Sequence, residues 1–428
     1  MLSQTRNTPY WWLDAPRPLE IPHDQPVKVD VAIVGAGFTG LNAALVLARA
    51  GLSVSVFEAG QLGEGASTRN GGMVGPSFHK LGIDGLRAKY GQDRTDDIIR
   101  ESIGFVDYLE EFLNAEDIDA ELERTGRFRG ALQPKHYDDM QRQLESLQSA
   151  CGLEGFMVPQ KDQAAETGSK RFFGGVVYST DGGLHPAKYH DGLAARVTEA
   201  GALILPHTPV EKINRVAGGY EVSTPRGKTL ATHVAICTNG YSTQSFAGLR
   251  RRVLPLRSAM IATAPIEPAL MARLMPKQRI CGDSRRIVAY YRPSPDGTRI
   301  LFGGRATSIR EDAVRNATHL RASMIEIFPE LGDLPIENVW SGLVAYTFDH
   351  APHIGQRDGL FYAMGYCGSG VARATYFGNK LGHKILGNDD GATAFDDLSF
   401  ASRPLYTGNP WFMPAVLKWH LLADRWGL

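Results

Sequence analysis

Residues 29–60 read VDVAIVGAGFTGLNAALVLARAGLSVSVFEAG, and the order of apolar runs and glycines in this stretch decides the fold. Val29 to Val34 is a short apolar run rich in β-branched residues, which suits a strand buried on both faces. Leu41 to Ala50 has helical spacing and good helix formers, and Gly51 marks its stop. Ser53 to Phe57 reads as a second strand with Glu58 at its end. Between the first strand and the helix lies Gly35-Ala36-Gly37-Phe38-Thr39-Gly40. Gly35 permits a tight turn, Gly37 lets a pyrophosphate approach the backbone, and Gly40 lets helix and strand pack closely. The helix N-terminus adds unpaired N–H groups and the positive end of its dipole. Glu58, 18 residues beyond Gly40, is placed to accept hydrogen bonds from a ribose. The unit predicts a Rossmann-like α/β domain that holds a dinucleotide.

Glycine continues outward from this unit. The chain has 47 in 428 residues, above the roughly 7% of average usage. Glu58-Ala59-Gly60 leads into Gly63-Glu64-Gly65-Ala66-Ser67-Thr68-Arg69-Asn70-Gly71-Gly72-Met73. Far downstream, WSGLVAYTFDHAPHIG (340–355) precedes Phe361-Tyr362-Ala363-Met364-Gly365-Tyr366-Cys367-Gly368-Ser369-Gly370-Val371, again a strand, a glycine turn and a helix start. Between these ends, 91–116 and 136–150 read as amphipathic helices, and 184–206 as helix, glycine and strand. His233 to Cys237 reads as a buried strand closing at Thr238-Asn239-Gly240. Residues 253–305 are strand-rich, with Pro295-Asp296-Gly297 as a hairpin turn, and 306–327 look helical.

Composition narrows the function classes. Basic and acidic residues balance at 46 each, so a nucleic-acid binder or an anionic-membrane binder is disfavoured. With 43% hydrophobic residues the chain has material for a large core. Cys151, Cys237, Cys281 and Cys367 stand far apart without a CxxC pair, so neither a disulfide framework nor a metal site is expected. No secretory leader and no transmembrane run is visible, and a cytoplasmic location is the expectation. Residues 1–26 read as an arm whose Tyr10-Trp11-Trp12 cluster packs on the body. The tail, 396–428, carries a helical apolar pattern over 409–428 that suits packing on its own domain or on a partner subunit.

With both glycine-rich ends in view, the chain resembles the FAD-dependent oxidoreductases of the D-amino-acid oxidase family, which include glycine and sarcosine oxidases and D-amino-acid dehydrogenases. It is most similar to the γ-glutamylputrescine-oxidase-like subgroup. In that subgroup a GxGAS-x-RNGG segment follows the ribose-binding acid, and Gly63, Gly65, Ala66, Ser67, Arg69, Asn70, Gly71 and Gly72 stand in that pattern; Thr68 departs where the family often has glycine. The 340–371 region resembles the C-terminal signature, whose helix N-terminus implies donors at the flavin N1/O2 edge. The resemblance implies adenine contacts near Val210, a turn at Thr238, Asn239 and Gly240 beneath the cofactor, and an approach at Gly342. Val344 stands where some sarcosine-oxidase relatives attach flavin through cysteine, so FAD is expected to be non-covalent. The implied organisation is discontinuous: an FAD-binding domain from 27–88, 178–245 and 335–395, and a substrate domain with a mixed or antiparallel sheet from 89–177 and 246–334.

The reaction so implied oxidises a primary or secondary amine, or an amino acid, at its carbon–nitrogen bond. A hydride passes to flavin N5, the imine is hydrolysed to a carbonyl compound, and oxygen, a quinone or another acceptor reoxidises the flavin. An apolar, aromatic site lowers an ammonium pKa toward the reactive free base and attracts the cation beforehand. Tyr346, Phe348, Tyr290, Tyr291 and Tyr366 are candidates for it. Arg305, ending ILFGGR, suits a substrate carboxylate through its fork geometry, and Arg257 is a second candidate. His350, His353 and Asp349 lie beside the same segment. Tyr346, Arg305 and His350 are the expected catalytic set. Three rivals stay open: oxidation of a hydroxy acid or polyol, a flavin-binding subunit inactive alone, and NAD(P) use of the first glycine turn. The amine, the stereochemistry and the oligomeric state are not legible.

Overall fold

A computed structural model describes residues 5–17, 23–76, 78, 81–306, 311–413, 415, 416 and 419. The first sheet runs in spatial order 353–357, 360–364, 227–236, 28–34, 54–57, 203–205, with a hairpin of 212–216 and 219–224 added on 227–236. Lys28–Val34 pairs in parallel with Val54–Phe57 on one side and Gly227–Ile236 on the other. Strands of this kind are covered on both faces, which explains why Val31, Ala32 and Ile33 are all fully buried.

The helices Phe38–Arg49 and Gly370–Leu386 follow the two glycine turns, and glycine brings them together. A Cβ at Gly378 would overlap the Thr39 carbonyl, and one at Gly382 would overlap Val46. Their close crossing fixes the two helix N-termini relative to one another. Tyr189 ties in the third helix, Pro186–Glu199, donating to or accepting from Thr375 at 2.7 Å.

The second sheet runs 336–347, 253–263, 300–305, 290–293, 280–283, 127–130, 175–178, 155–158 and is antiparallel except where 127–130 meets 280–283. The hairpin expected at Pro295-Asp296-Gly297 is present: Tyr290–Pro293 pairs antiparallel with Ile300–Arg305, and Gly297 adopts φ 67°. Helix Ala313–Ile327 covers one face through Ala317, Leu320, Met324 and Ile327. The short helix Pro268–Leu274 inside the strand-rich block carries no sequence signal longer than a turn or two.

Packing crosses the sequence grouping in two places and meets its boundary in a third. Ile336–Thr347, grouped with the FAD segments from 335, is hydrogen-bonded along its length to Val253–Thr263 in the second sheet. Gly175–Tyr178 pairs with Arg127–Gly130 and Gly155–Val158, so the second sheet runs to the boundary drawn at 178. The helix Phe105–Ala115, grouped with the substrate segments, buries Phe105, Leu109 and Leu113 against the core of the first sheet. A strand or helix is claimed by whichever partner buries its apolar face, and pattern alone does not name that partner. The amphipathic helix expected over 409–428 falls largely outside the described residues. Among the described residues no helix is long and apolar enough to cross a membrane.

Candidate active site

The first glycine turn has the shape its sequence demands. Gly35 sits at φ 103°, a conformation that side chains resist, and a Cβ there would press on the Cys237 carbonyl at 3.1 Å. A Cβ at Gly37 would stand 2.9 Å from Ser67 Oγ, and one at Gly40 would overlap Gly35 O. Helix Phe38–Arg49 has no side-chain cap; the Phe38 N–H donates to Ser67 Oγ at 3.0 Å. Glu58 is fixed at the end of its strand. Its Oε2 accepts from Ala36 N–H at 2.8 Å, and its Oε1 from Ala59 N–H at 2.8 Å and Gly60 N–H at 3.3 Å. The side chains of Phe38 and Thr39 turn inward, Phe38 stacking on Tyr189 at 4.5 Å and Thr39 Oγ1 bonding Tyr366 OH at 2.7 Å. Apart from Glu58 and Ser67, which bond its amides, the turn presents backbone.

The loop 63–73 lies beside this turn. Gly65 leads into the short 3-10 helix Ala66–Thr68. Asn70 closes the loop on itself, donating from Nδ2 to the carbonyls of Ala66 and Ser67 and accepting from Gly72 N–H at 2.8 Å. Arg69 reaches Glu64 O at 2.6 Å and Ser341 O at 3.3 Å, which ties the loop to the second sheet. Gly342 faces Arg69 and Tyr241, and Met73 pairs with Gly183.

The second glycine turn faces the same region. Gly365, Cys367 and Gly368 all have positive φ, at 86°, 55° and 97°. Asn239 Oδ1 accepts from Gly365 N–H at 3.0 Å, joining the turn at Thr238, Asn239 and Gly240 to this one. The helix Gly370–Leu386 follows Ser369 without a side-chain cap, and Val371 in its first turn is buried. Val210 is buried among Val34, Phe57 and Leu205, just past Thr208, whose N–H donates to Glu58 O at 2.7 Å. Two uncapped helix starts, an acid held by backbone amides and turns that exclude Cβ atoms fit a flavin dinucleotide, whose phosphates and ring both demand close backbone approach.

Between the glycine loop and the second turn, side chains of the second sheet converge. A Cβ at Gly71 would stand 3.3 Å from the Tyr290 ring and 3.5 Å from Met260. Tyr290 OH pairs with Ser258 Oγ at 2.9 Å, and burial pushes its phenol above the ordinary range. The Arg305 guanidinium lies 5.1 Å from the Tyr346 ring centre, and among the described residues it has no acidic partner. A Cβ at Gly368 would meet Tyr346 OH at 3.2 Å. His350, at φ 61°, sets its ring edge-on to Tyr346 at 6.1 Å. Tyr346, Arg305 and His350 are therefore neighbours.

The other candidates separate. Arg257 alternates with Ser258 along its strand, so its side chain leaves by the opposite face, where it pairs with Glu311 and donates to Ser341 Oγ at 2.7 Å. Tyr291 alternates with Tyr290 and is core, stacked on Phe302 at 5.7 Å. Tyr366 is buried beside Thr39, and Phe348 packs on Tyr406. Asp349 is committed to His353 at 3.1 Å and Lys89 at 3.5 Å, which hold its carboxyl below the usual range against the opposing effect of burial. His353 is buried and stacked on Phe400 at 4.1 Å. Sequence reasoning missed Ser258 and Met260; only strand alternation across paired strands, unknown before the register, could have found them. Among the described residues no cluster of three His, Cys, Asp or Glu is arranged to hold a metal.

Comparison with known proteins gives the chain its family. The model of the DAO family, "FAD dependent oxidoreductase", matches residues 30–383. A probable oxidoreductase OrdL of Haemophilus influenzae is 30% identical over 387 residues, 89% of this chain and 88% of its own. The γ-glutamylputrescine oxidoreductase of Escherichia coli is 28% identical, over 90% of this chain and 88% of its own. Among solved structures, glycine oxidase from Geobacillus kaustophilus superposes with a TM-score of 0.73 at 21% identity, covering 89% of this chain and 99% of that one. The protein described here belongs to the DAO family of FAD-dependent oxidoreductases.

Proposed function

We propose that this enzyme oxidises an amine or amino acid at its carbon–nitrogen bond, and that the preferred substrate also carries a carboxylate. The observation that carries this reading is Arg305, a guanidinium on an aromatic face beside the glycine loop with no acidic partner among the described residues. Its planar fork suits a carboxylate, while Tyr346 and Tyr290 suit a substrate amine. The names of the relatives, a γ-glutamylputrescine oxidoreductase and glycine oxidases, support the same class.

In this reading Gly35, Gly37, Phe38, Thr39, Gly40, Glu58 and Ala59 hold the adenosine pyrophosphate through backbone and the Glu58 carboxylate. Gly65 to Met73, Gly342, and Gly365 to Val371 approach the ring, with Val210 and the turn at Thr238 to Gly240 beneath. FAD would supply the two-electron acceptor, held non-covalently, with oxygen or another acceptor taking the electrons onward. The chain's own task is to orient the substrate, exclude water and favour the neutral amine. Burial around Tyr290 and Met260 penalises an ammonium and so promotes its deprotonation. His350 stands beside Tyr346, where it positions that ring. The discontinuous FAD and substrate domains, with the sheet memberships above, are part of this proposal. Four unpaired cysteines suit a reducing, cytoplasmic setting.

Turnover of the purified chain on matched panels tests the reading. Carbonyl product together with released amine or ammonia, from carboxylate-bearing amines first, is the expected result. Turnover of hydroxy acids or polyols alone would overturn it.

A further inference from the structure

The N-terminal segment, which precedes the residues matched by the family model, forms a strap across both sheets. It begins as an edge of the second sheet: Arg6 N–H donates to Glu337 O at 2.8 Å, and Arg6 O accepts from Val339 N–H at 2.9 Å. Tyr10 and Trp11 then bury themselves against Met260, Ala262, Leu301 and Trp340. Arg17 closes the crossing on the first-sheet side with Asp191 at 3.1 Å.

The strap touches the loop 63–73 at Thr68, Arg69 and Asn70. Trp12 Nε1 donates to Thr68 Oγ1 at 3.0 Å, and Trp11 Nε1 to Asn70 O at 2.8 Å. From the second sheet, Trp340 Nε1 donates to Arg69 O at 2.9 Å and Arg292 Nη1 donates to Gly72 O at 3.0 Å. The guanidinium of Arg69 lies over the Trp12 ring at 4.8 Å, and that of Arg292 stands 5.8 Å from the Trp11 ring. Because a trans peptide sets its C=O and N–H on opposite edges, fixing Asn70 O on Trp11 aims the Gly71 N–H away from the strap. That N–H has no acceptor among the described residues.

We propose that Trp11 and Trp12 are positioning residues for FAD: their indole N–H groups lock the loop so that the Gly71 N–H is presented to the cofactor. The proposal rests on the reading that this loop borders FAD. Trp11→Phe and Trp12→Phe keep an aromatic ring and remove the N–H. Apoprotein is titrated with FAD by flavin fluorescence, and melting is followed with and without FAD, with Gly37→Ala alongside. Each Trp variant should weaken FAD about 5- to 10-fold, the worth of one hydrogen bond. The melting gap between holo- and apoprotein should narrow accordingly. A structural role alone would lower both melting points together and leave FAD affinity intact, which overturns the proposal. If Trp11→Phe does not fold, Trp12→Phe, at a half-buried site, decides. Unchanged affinity in the Trp variants with weakened binding in Gly37→Ala rejects the strap alone. Unchanged affinity in all three rejects the reading of the first glycine turn as part of the FAD site as well.

Discussion

In the proposed site, the end assigned to the phosphates and the end assigned to the substrate are built from different materials. At Gly35, Gly37 and Gly40 the protein contributes backbone, and the side chains of Phe38 and Thr39 point away into the core. At Arg305, Tyr346, Tyr290 and Ser258 it contributes side chains brought together from four strands of one sheet. A backbone site needs particular residues at fixed local spacing, so it is written contiguously. A side-chain site needs only that distant strands present the right face. The first can be conserved in form by three glycines; the second changes with a single substitution without disturbing the fold.

The largest effect should come from breaking the backbone end. A side chain at Gly40 would overlap Gly35 O, which is backbone and cannot yield. Gly40→Val should cost ~3 kcal/mol or more and give colourless protein, read by melting and by flavin content.

Against the strap lies His185, fully buried, whose ring meets that of Trp11 edge-on at 5.0 Å. Its Nδ1 caps helix Pro186–Glu199 by accepting from Lys188 N–H at 3.2 Å, and burial lowers its pKa to about 4. The unfolded chain takes up this proton near the ordinary value of about 6.5, the folded chain only near 4, so the unfolded state binds more protons in between. Stability is complete above that window and is lost as pH falls through it, by about 3 kcal/mol. His185→Asn, which keeps an acceptor at the cap, should flatten this part of the pH–stability curve measured by denaturant titration.

At the reacting end, Arg305→Ala should raise KM for carboxylate-bearing amines about 30-fold while uncharged amines change little. FAD affinity should stay unchanged, since the two ends use separate parts of the chain. Equal changes for both substrate types would remove the carboxylate role. Tyr346→Leu, which takes away the ring under Arg305, should lower kcat/KM by about 5-fold, the smallest of these effects.

The same division explains what could be read from sequence. Gly35 to Gly40 and Glu58 were readable because strand, turn and helix follow one another and each glycine has one reason to be there, whereas the RNGG loop was read only through the family resemblance. Arg305 was preferred to Arg257 only through the family's FGGR strand; the residues themselves do not separate them, and only the register, which places Ser258 opposite Arg305, shows that Arg257 leaves by the other face. Tyr290 and Tyr291 differ by one residue and by an entire side of the sheet. The sheet that receives Ile336–Thr347 was not readable for a related reason, since the segment reads as a strand whichever sheet takes it.

The central claim, that the two ends together form a flavin site for carbon–nitrogen oxidation, is tested most directly by anaerobic titration of the yellow enzyme. Carboxylate-bearing amines should bleach the flavin absorbance with one carbonyl product per flavin, and Arg305→Ala should need far more substrate to reach the same end point. A flavin that stays oxidised with every amine and bleaches with a hydroxy acid would contradict the account.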